Sequence, residues 1–203
     1  MTNMCRALCV FVLLLRQHSY SASKEKPPSD SNFSIQKVTI GKDNFQTLQD
    51  KLGPTRKCHT THHDGVDIAG YADSTEALVF EFGEIGGGDV TAFSLSLPNG
   101  TAKCPLSRLP TGVSELATNG GVRLGMTDRE FVSIFGDPQT KTRSNYWKYE
   151  WTLEVKYTEG DKSAAASAGH PAPADTYLVG ITVEAKFQEG RLIYFYIAKL
   201  QST

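Results

Sequence analysis

Hydrophobic and polar residues alternate along two stretches in the C-terminal part of the chain. In 147–157 an aromatic or aliphatic residue occupies every second position, with charged residues or threonine between. The same alternation runs through 177–187, after which Glu189-Gly190 turns the chain back into 191–199. A period of two is that of a β-strand with one buried and one solvated face. The pattern therefore predicts a long strand followed by a β-hairpin.

A short helix pattern stands before these strands. Thr127 and Glu130 form a T-x-x-E capping box, and the residues of 136–138, Gly-Asp-Pro, provide a stop. The apolar residues between these signals fall on one side of the predicted helix: Phe131, Ile134 and Phe135. The spacing predicts an amphipathic helix of about three turns that needs packing for stability.

The first half of the chain has a fainter version of the same order. Asp43 is a candidate helix cap with Gln46 three residues on, and Gly53-Pro54 follows as the stop. The predicted buried stripe is Phe45, Leu48 and Leu52. Strand-like stretches then occur at 68–72, 77–82 and 90–97, with a glycine-rich turn before the last of them.

The helix motifs of the two halves, 40–54 and 121–138, lie about 84 residues apart. Two copies of one unit predict an α+β fold of two tandem repeats. Each repeat is expected to be a short helix, or helical hairpin, packed on a three- to four-stranded antiparallel meander. We place the repeats at 35–97 and 121–203, with a linker at 98–120. The polar segment 24–34 is predicted to be a flexible leader.

The N-terminus has the features of an export signal. Residues 1–23 contain two arginines and no acid around a short apolar run, followed by small residues at 21–23. The run is too short to span a bilayer, so the membrane is a partner only if the signal stays uncleaved. Loss of both arginines changes the net charge from −1 to −3, which does not attract nucleic acid. We expect a periplasmic or secreted protein.

Two cysteines remain after the signal, Cys58 and Cys104. In an oxidising compartment an isolated pair usually forms a structural disulfide, and the chain has no CxxC motif that favours metal or redox chemistry. The sequence therefore predicts a Cys58–Cys104 bridge that pins the linker onto the first repeat.

The order of helix, Gly-x-Pro stop, aromatic strand and closing hairpin resembles the β-lactamase inhibitor protein-like fold. Small outer-membrane assembly lipoproteins of the SmpA/OmlA type are similar. The clearer motif is Gly125, Thr127, Glu130, Phe131, Gly136, Pro138, Trp147 and Tyr149, with a looser copy at Gly41, Asp43, Leu48, Gly53 and Pro54. The chain differs from the lipoproteins in lacking a lipidated cysteine, and from the inhibitors in having one cysteine pair rather than one per repeat. The resemblance implies an exported protein that binds another protein.

A second function is suggested by His59, His62 and His63, which cluster next to Cys58. Imidazole groups this close could share Zn²⁺ or Cu²⁺, although their spacing matches no established zinc pattern. The alternative is a solvated polar loop. No motif for nucleophilic catalysis or phosphate binding is found, so we expect neither enzymatic activity nor a cofactor.

The last predicted strand carries Tyr194 and Tyr196 on one side and Phe195 and Ile197 on the other. One side must meet the helix, and the other is either buried between the repeats or left as a tyrosine-rich surface. Trp147 is expected in the core, because it alternates with charged residues. Tyrosine is enriched in protein–protein hot spots, so Tyr194 and Tyr196 are the candidate partner-binding residues.

Overall fold

The computed structural model describes residues 26–60, 66–83, 88–98, 104–113, 115–159, 167 and 175–202. This part of the chain has the predicted α+β composition, with two α-helices and a mostly antiparallel sheet of nine strands. The helices are α1 (Phe45–Leu52) and α2 (Asp128–Phe135). A separate two-stranded sheet is formed by β1 (Ser34–Ile35) and β2 (Val38–Thr39).

The nine-stranded sheet contains three strands of 11 to 13 residues and six shorter ones. The strands are β3 (Cys58–His59), β4 (Asp67–Ala72), β5 (Ala77–Phe82), β6 (Val90–Ser96), β7 (Ser107–Arg108), β8 (Thr140–Lys141), β9 (Tyr146–Lys156), β10 (Thr176–Gln188) and β11 (Arg191–Ser202). The strands at 77–82 and 147–157 and the closing hairpin therefore agree with the sequence predictions.

The strand order in the sheet is β3-β4-β5-β6-β11-β10-β9-β8, and β7 pairs in parallel with β4. Strands β4 to β6 form one antiparallel meander and β9 to β11 form another. The last strand of each meander pairs with the other, β6 with β11, so that Phe93 lies opposite Ile197. The two halves therefore join edge to edge in one continuous sheet instead of stacking face to face.

Helix α2 begins and ends where the sequence predicts. The Thr127 hydroxyl accepts from the Glu130 N–H at 3.2 Å, and the Glu130 carboxylate accepts from the Thr127 N–H at 2.6 Å. Gly136 ends the helix with φ 77° and ψ −167°, a conformation open almost only to glycine. Phe131 and Phe135 are buried, and Ile134 is partly buried against the core.

The cap predicted for α1 is wrong by one residue. Asn44, not Asp43, caps the helix, and its partner in the capping box is Thr47 rather than Gln46. The Asp43 carboxylate accepts instead from the N–H of Thr39 at 2.7 Å and from the Lys51 ammonium at 2.6 Å. The Asp43 carboxylate thus ties the segment before the helix to Lys51 in the last turn of the helix.

The helices cover one face of the sheet, and the core lies between the two layers. Phe131 of α2 contacts four aromatic rings of the sheet, with ring centroids 5.5 to 6.3 Å apart: Trp147, Tyr149, Phe187 and Phe195. Trp147 and Trp151 are buried, as their alternation with charged residues predicts. On the other side of the junction, Phe45 of α1 meets the Phe82 ring edge-on.

Two segments are more ordered than the sequence suggests. The predicted flexible leader ends in a short 3₁₀-helix, Asp30–Phe33, and the Phe33 ring is 4% exposed. The linker contributes β7 to the sheet and places Leu109 and Leu116 in buried positions. In both segments an isolated apolar residue in a polar stretch is buried at the edge of the core, where it is removed from water.

The predicted bridge between Cys58 and Cys104 is present. Cys58 begins β3, which pairs with β4 at the edge of the sheet, so the bridge fixes the start of the linker there. The predicted signal, residues 1–23, lies outside the described residues. Neither helix in the described part of the chain is long and apolar enough to cross a bilayer.

Candidate protein-binding surface

The face of the sheet opposite the helices carries the tyrosines that the sequence singles out. Phe195 and Ile197 of β11 are fully buried beneath the helices. Because side chains alternate along a strand, Tyr194 and Tyr196 project to the opposite face, where both are partly exposed. In the described part of the chain the two halves join edge to edge, so these tyrosines do not lie between two stacked layers.

Tyr196 reaches across a neighbouring strand. Its hydroxyl donates a hydrogen bond to Glu81 Oε2 at 3.1 Å, and Glu81 lies on β5. Strand β6 stands between β11 and β5, so the Tyr196 side chain must cross it. The β6 residues on this face are small, Ala92, Ser94 and Ser96, and they leave room for the ring.

A second tyrosine–glutamate pair lies on the other side of β11. The Tyr146 hydroxyl on β9 donates to the carboxylate of Glu184 on β10. Glu184 is in register with Tyr196 across β10 and β11, and Lys186 is in register with Tyr194. The two pairs therefore flank the central strand on the same face of the sheet.

Burial and nearby negative charge raise the pKa of these three hydroxyls above the ordinary value of 10. Burial raises the pKa of Tyr194, and the negative charges of Glu184 and Glu81 raise it further. The pKa of Tyr196 is raised mainly by burial and then by Glu81, whereas that of Tyr146 is raised by burial and then by Glu184. Each neutral hydroxyl thus remains a donor for the carboxylates around it.

We call the set Glu81, Tyr146, Glu184, Tyr194 and Tyr196 the tyrosine face. The sequence alone indicates Tyr194 and Tyr196 but not the other three members. Glu81 and Glu184 occupy polar positions in the alternating patterns of β5 and β10, and these patterns could have placed both residues on the solvent-facing side of the sheet. The pairing of β6 with β11 brings Glu81 to Tyr196, and no local pattern in the sequence predicts that pairing.

Two lysines border the tyrosine face. Lys148 lies opposite Glu184 in the register of β9 and β10, and its ammonium group forms an ion pair with Glu150 at 2.9 Å. Lys186 is exposed. The border is therefore charged with both signs, while the carboxylates within the face are partly buried and bonded to hydroxyl groups.

The histidine cluster is only partly described. His59 lies on β3 with its Nδ1 atom 3.1 Å from Asp67 Oδ1, while His62 and His63 lie outside the described residues. Cys58 is committed to the disulfide. Among residues that the structure describes, no three His, Cys, Asp or Glu side chains are placed to hold a metal ion. Metal binding by the whole cluster stays a prediction.

A shallow groove of about 500 Å³ lies on the helix side of the sheet, beside α2. Its walls include Arg129, Asp137 and Trp147, and the Lys141 ammonium stands 4.5 Å from the centre of the Trp147 ring. The Trp147 Nε1 atom is buried and has no hydrogen-bond partner within the described ranges of the chain. This groove is separated from the tyrosine face by the sheet itself.

Comparison with protein-family models, with curated proteins and with solved structures finds no match to this chain. The tyrosine face offers large aromatic rings, fixed hydroxyl donors and two carboxylates on a continuous strand surface. Such a set is suited to recognising another molecule by contact.

Proposed function

We propose that this protein is an exported, non-enzymatic module that binds a protein partner through the tyrosine face. One observation carries the proposal. The helices bury one side of β11, and the opposite side presents Tyr194 and Tyr196 partly exposed at the centre of the sheet. A tyrosine ring excludes water while its hydroxyl keeps a polar partner, which makes this residue a frequent hot spot in protein interfaces.

The rigidity of the surface supports the proposal. Strand β11 pairs with β10 on one side and with β6 on the other, so its backbone is held along both edges. The hydroxyls of Tyr196 and Tyr146 are further fixed by their bonds to Glu81 and Glu184. A preformed surface loses little conformational entropy on binding, and more of the contact energy remains as affinity.

We also infer that the two halves are tandem repeats, as in the inhibitors that the sequence resembles. The Gly41 N–H donates to the Val90 carbonyl at 2.8 Å, and the Gly125 N–H donates to the Leu192 carbonyl at the same distance. Each bond ties the segment before a helix to the start of the last strand of its meander. In this interpretation the tyrosine face spans the junction of two equivalent units.

Export is part of the proposal and rests on two independent features. The sequence of residues 1–23 is typical of a signal peptide, and the Cys58–Cys104 bridge is typical of an oxidising compartment. We therefore place the protein in the periplasm or outside the cell.

Site-specific photo-crosslinking tests the proposal. A photoreactive amino acid replaces Lys186, which is exposed on this face in register with Tyr194, and the control position is exposed Arg129 on α2. We expect a protein of the envelope fraction to crosslink at position 186 and not at 129. Capture must also fall when Tyr194→Ala and Tyr196→Ala are combined. Equal crosslinking yields at both positions would contradict the proposal, and so would a yield that the tyrosine substitutions do not reduce.

A further inference from the structure

We infer that the partner contributes a lysine or arginine side chain, which docks on the tyrosine face between Glu81 and Glu184. The inference rests on the proposed function and specifies the chemistry of the partner. It follows from the charge, the aromatic content and the fixed geometry of this side of the sheet.

Charge is the first reason. Glu81 and Glu184 flank Tyr194 and Tyr196 from opposite sides, and both carboxylates are partly buried. Of the two lysines at the border, Lys148 forms an ion pair with Glu150 at 2.9 Å, and Lys186, in register with Tyr194, is exposed to solvent. Burial raises the pKa of the Tyr194 hydroxyl, and the negative charges of Glu184 and Glu81 raise it further. A cation arriving at this position is attracted by the same field.

The aromatic rings are the second reason. Tyr194 and Tyr196 sit in the middle of the face, and Tyr146 lies two strands away on β9. A cation over an aromatic face is attracted by the quadrupole of the ring, and the aliphatic part of lysine or arginine covers apolar surface. An acidic side chain would be repelled by the two carboxylates, and a purely apolar one would take them out of water without supplying the opposite charge.

Fixed geometry is the third reason. The Tyr196 hydroxyl holds Glu81 at 3.1 Å, and the Tyr146 hydroxyl holds Glu184. A carboxylate offers about four acceptor positions on its two oxygens, so it can accept from more than one donor. The acceptors are therefore positioned before the partner arrives, which favours a charge-assisted bond over a loose surface pair.

A second copy of the chain is a poorer occupant. Two tyrosine faces brought together would oppose carboxylate to carboxylate at the centre, and like charges across an interface are unfavourable. A dimer formed through this face is one of the outcomes that would overturn the inference.

Peptide selection tests the inference directly, because it does not require the natural partner. A library of random peptides is selected on the purified protein and depleted on the variant with Tyr194→Ala and Tyr196→Ala, so that only binders of the tyrosine face remain. We expect a lysine or arginine at a shared position of the selected peptides. Replacement of that arginine by citrulline, its neutral isostere, should weaken binding about tenfold or more.

Matched protein variants supply the second arm. Glu81→Gln combined with Glu184→Gln removes charge with little change of shape, and binding of the selected peptides should again fall about tenfold. Asp50→Asn changes an exposed residue of α1, on the opposite side of the sheet; it makes the same type of charge change and should leave binding unchanged. If the double variant does not fold, the citrulline peptides still decide the question.

The outcomes separate the two proposals. Peptides that bind the tyrosine face without a basic residue would overturn this inference and leave the proposed function standing. So would peptides whose binding is unchanged by the glutamate substitutions. Failure to recover any peptide that depends on Tyr194 and Tyr196, or recovery only of a self-associated dimer, counts against both.

Discussion

The hydroxyl of Tyr149 donates a hydrogen bond to the carbonyl oxygen of Gly136, 3.0 Å away. Gly136 ends α2, and Tyr149 lies within β9, so one bond ties the end of the helix to the sheet. In the first half of the chain, the Tyr71 hydroxyl donates to the carbonyl of Gly53, the residue that ends α1, at 2.7 Å. The same device therefore fixes both helices on their strands.

Replacement of Tyr149 by phenylalanine removes this bond while keeping the buried ring. We expect the free energy of unfolding to fall by about 1 to 2 kcal/mol, because the partly buried Gly136 carbonyl loses its hydrogen-bond donor. Denaturant unfolding followed by tryptophan fluorescence measures the change.

Tyr71→Phe is the matched variant, and we expect a loss of similar size. The two sites lie in different halves of the sheet, so their effects should add in the double variant. If Tyr149→Phe has wild-type stability, the hydroxyl does not anchor the helix.

Gly53 is expected to resist substitution for a backbone reason alone. Its φ is 86° and its ψ 179°, and a Cβ built there meets no atom of the described residues within 4 Å. Gly53→Ala should therefore cost about 1 to 3 kcal/mol through strain, without a steric clash. Thermal unfolding measures the loss of stability. Lys51→Ala on the same helix is not a suitable control, because Lys51 pairs with Asp43. Exposed Asp50→Ala serves instead, and equal effects of the two alanines would exclude the backbone explanation.

Local patterns in the sequence predict the elements that local physics decides. The capping box of Thr127 and Glu130, the burial of Trp147 and the hairpin at Glu189-Gly190 each depend on residues close in the chain, and each is confirmed. The cap of α1 is harder to predict because Asp43 and Asn44 are adjacent and both can cap. Its true position depends on the ion pair of Asp43 with Lys51, eight residues away.

The candidate surface depends on contacts between distant segments and is harder still to predict. The alternation of β11 is enough to put Tyr194 and Tyr196 on one side. The bond from Tyr196 to Glu81, 115 residues apart, exists only because β6 pairs with β11 and carries small side chains there. Strand pairing across such a distance leaves no periodic signal in either strand.

Acid should weaken the protein partly through Asp43. Burial alone would raise the pKa of this carboxyl, but bonds from Lys51, Thr39 and Thr47 outweigh burial and lower the pKa below its usual 3.8. Because the folded-state pKa is the lower one, this contribution to stability is present above pH 3.8 and is lost as the pH falls through the folded value.

Asp43→Asn tests that assignment. The variant should lose about 2 kcal/mol at neutral pH, since a charged acceptor is replaced by a neutral one. Its unfolding free energy should also depend less on pH below 3.8 than that of the wild type. Parallel unfolding curves over the acid range measure both effects, and an unchanged acid dependence would show that other carboxyls dominate.

Alkali should weaken the protein through its buried tyrosines. Burial raises the pKa of Tyr71 from 10 to about 12. The folded state therefore holds the phenolic proton more tightly than the unfolded state, and stability that is complete below pH 10 is lost as the pH rises toward 12.

Tyrosinate absorbance and denaturant unfolding, measured together over this range, check the sign. Tyr71→Phe should reduce the slope of unfolding free energy against pH, although the tyrosines of the tyrosine face keep part of it because their pKa values are also raised. A slope that is unchanged in Tyr71→Phe would contradict the assignment to this residue.

Reduction of the Cys58–Cys104 bridge should destabilise the fold without abolishing the tyrosine face. The bridge closes a loop of 46 residues, for which the chain-entropy model gives about 4 kcal/mol. It lies at β3, at the edge of the sheet, whereas Tyr194 and Tyr196 lie on β11 at its centre. The variant with both cysteines replaced by serine should therefore unfold at a lower temperature and still bind peptides selected on the wild-type protein. Treatment of this variant with a reducing agent is the control, because it should cause no further change. Loss of peptide binding under conditions where the variant remains folded would mean that the edge of the sheet helps to shape its centre.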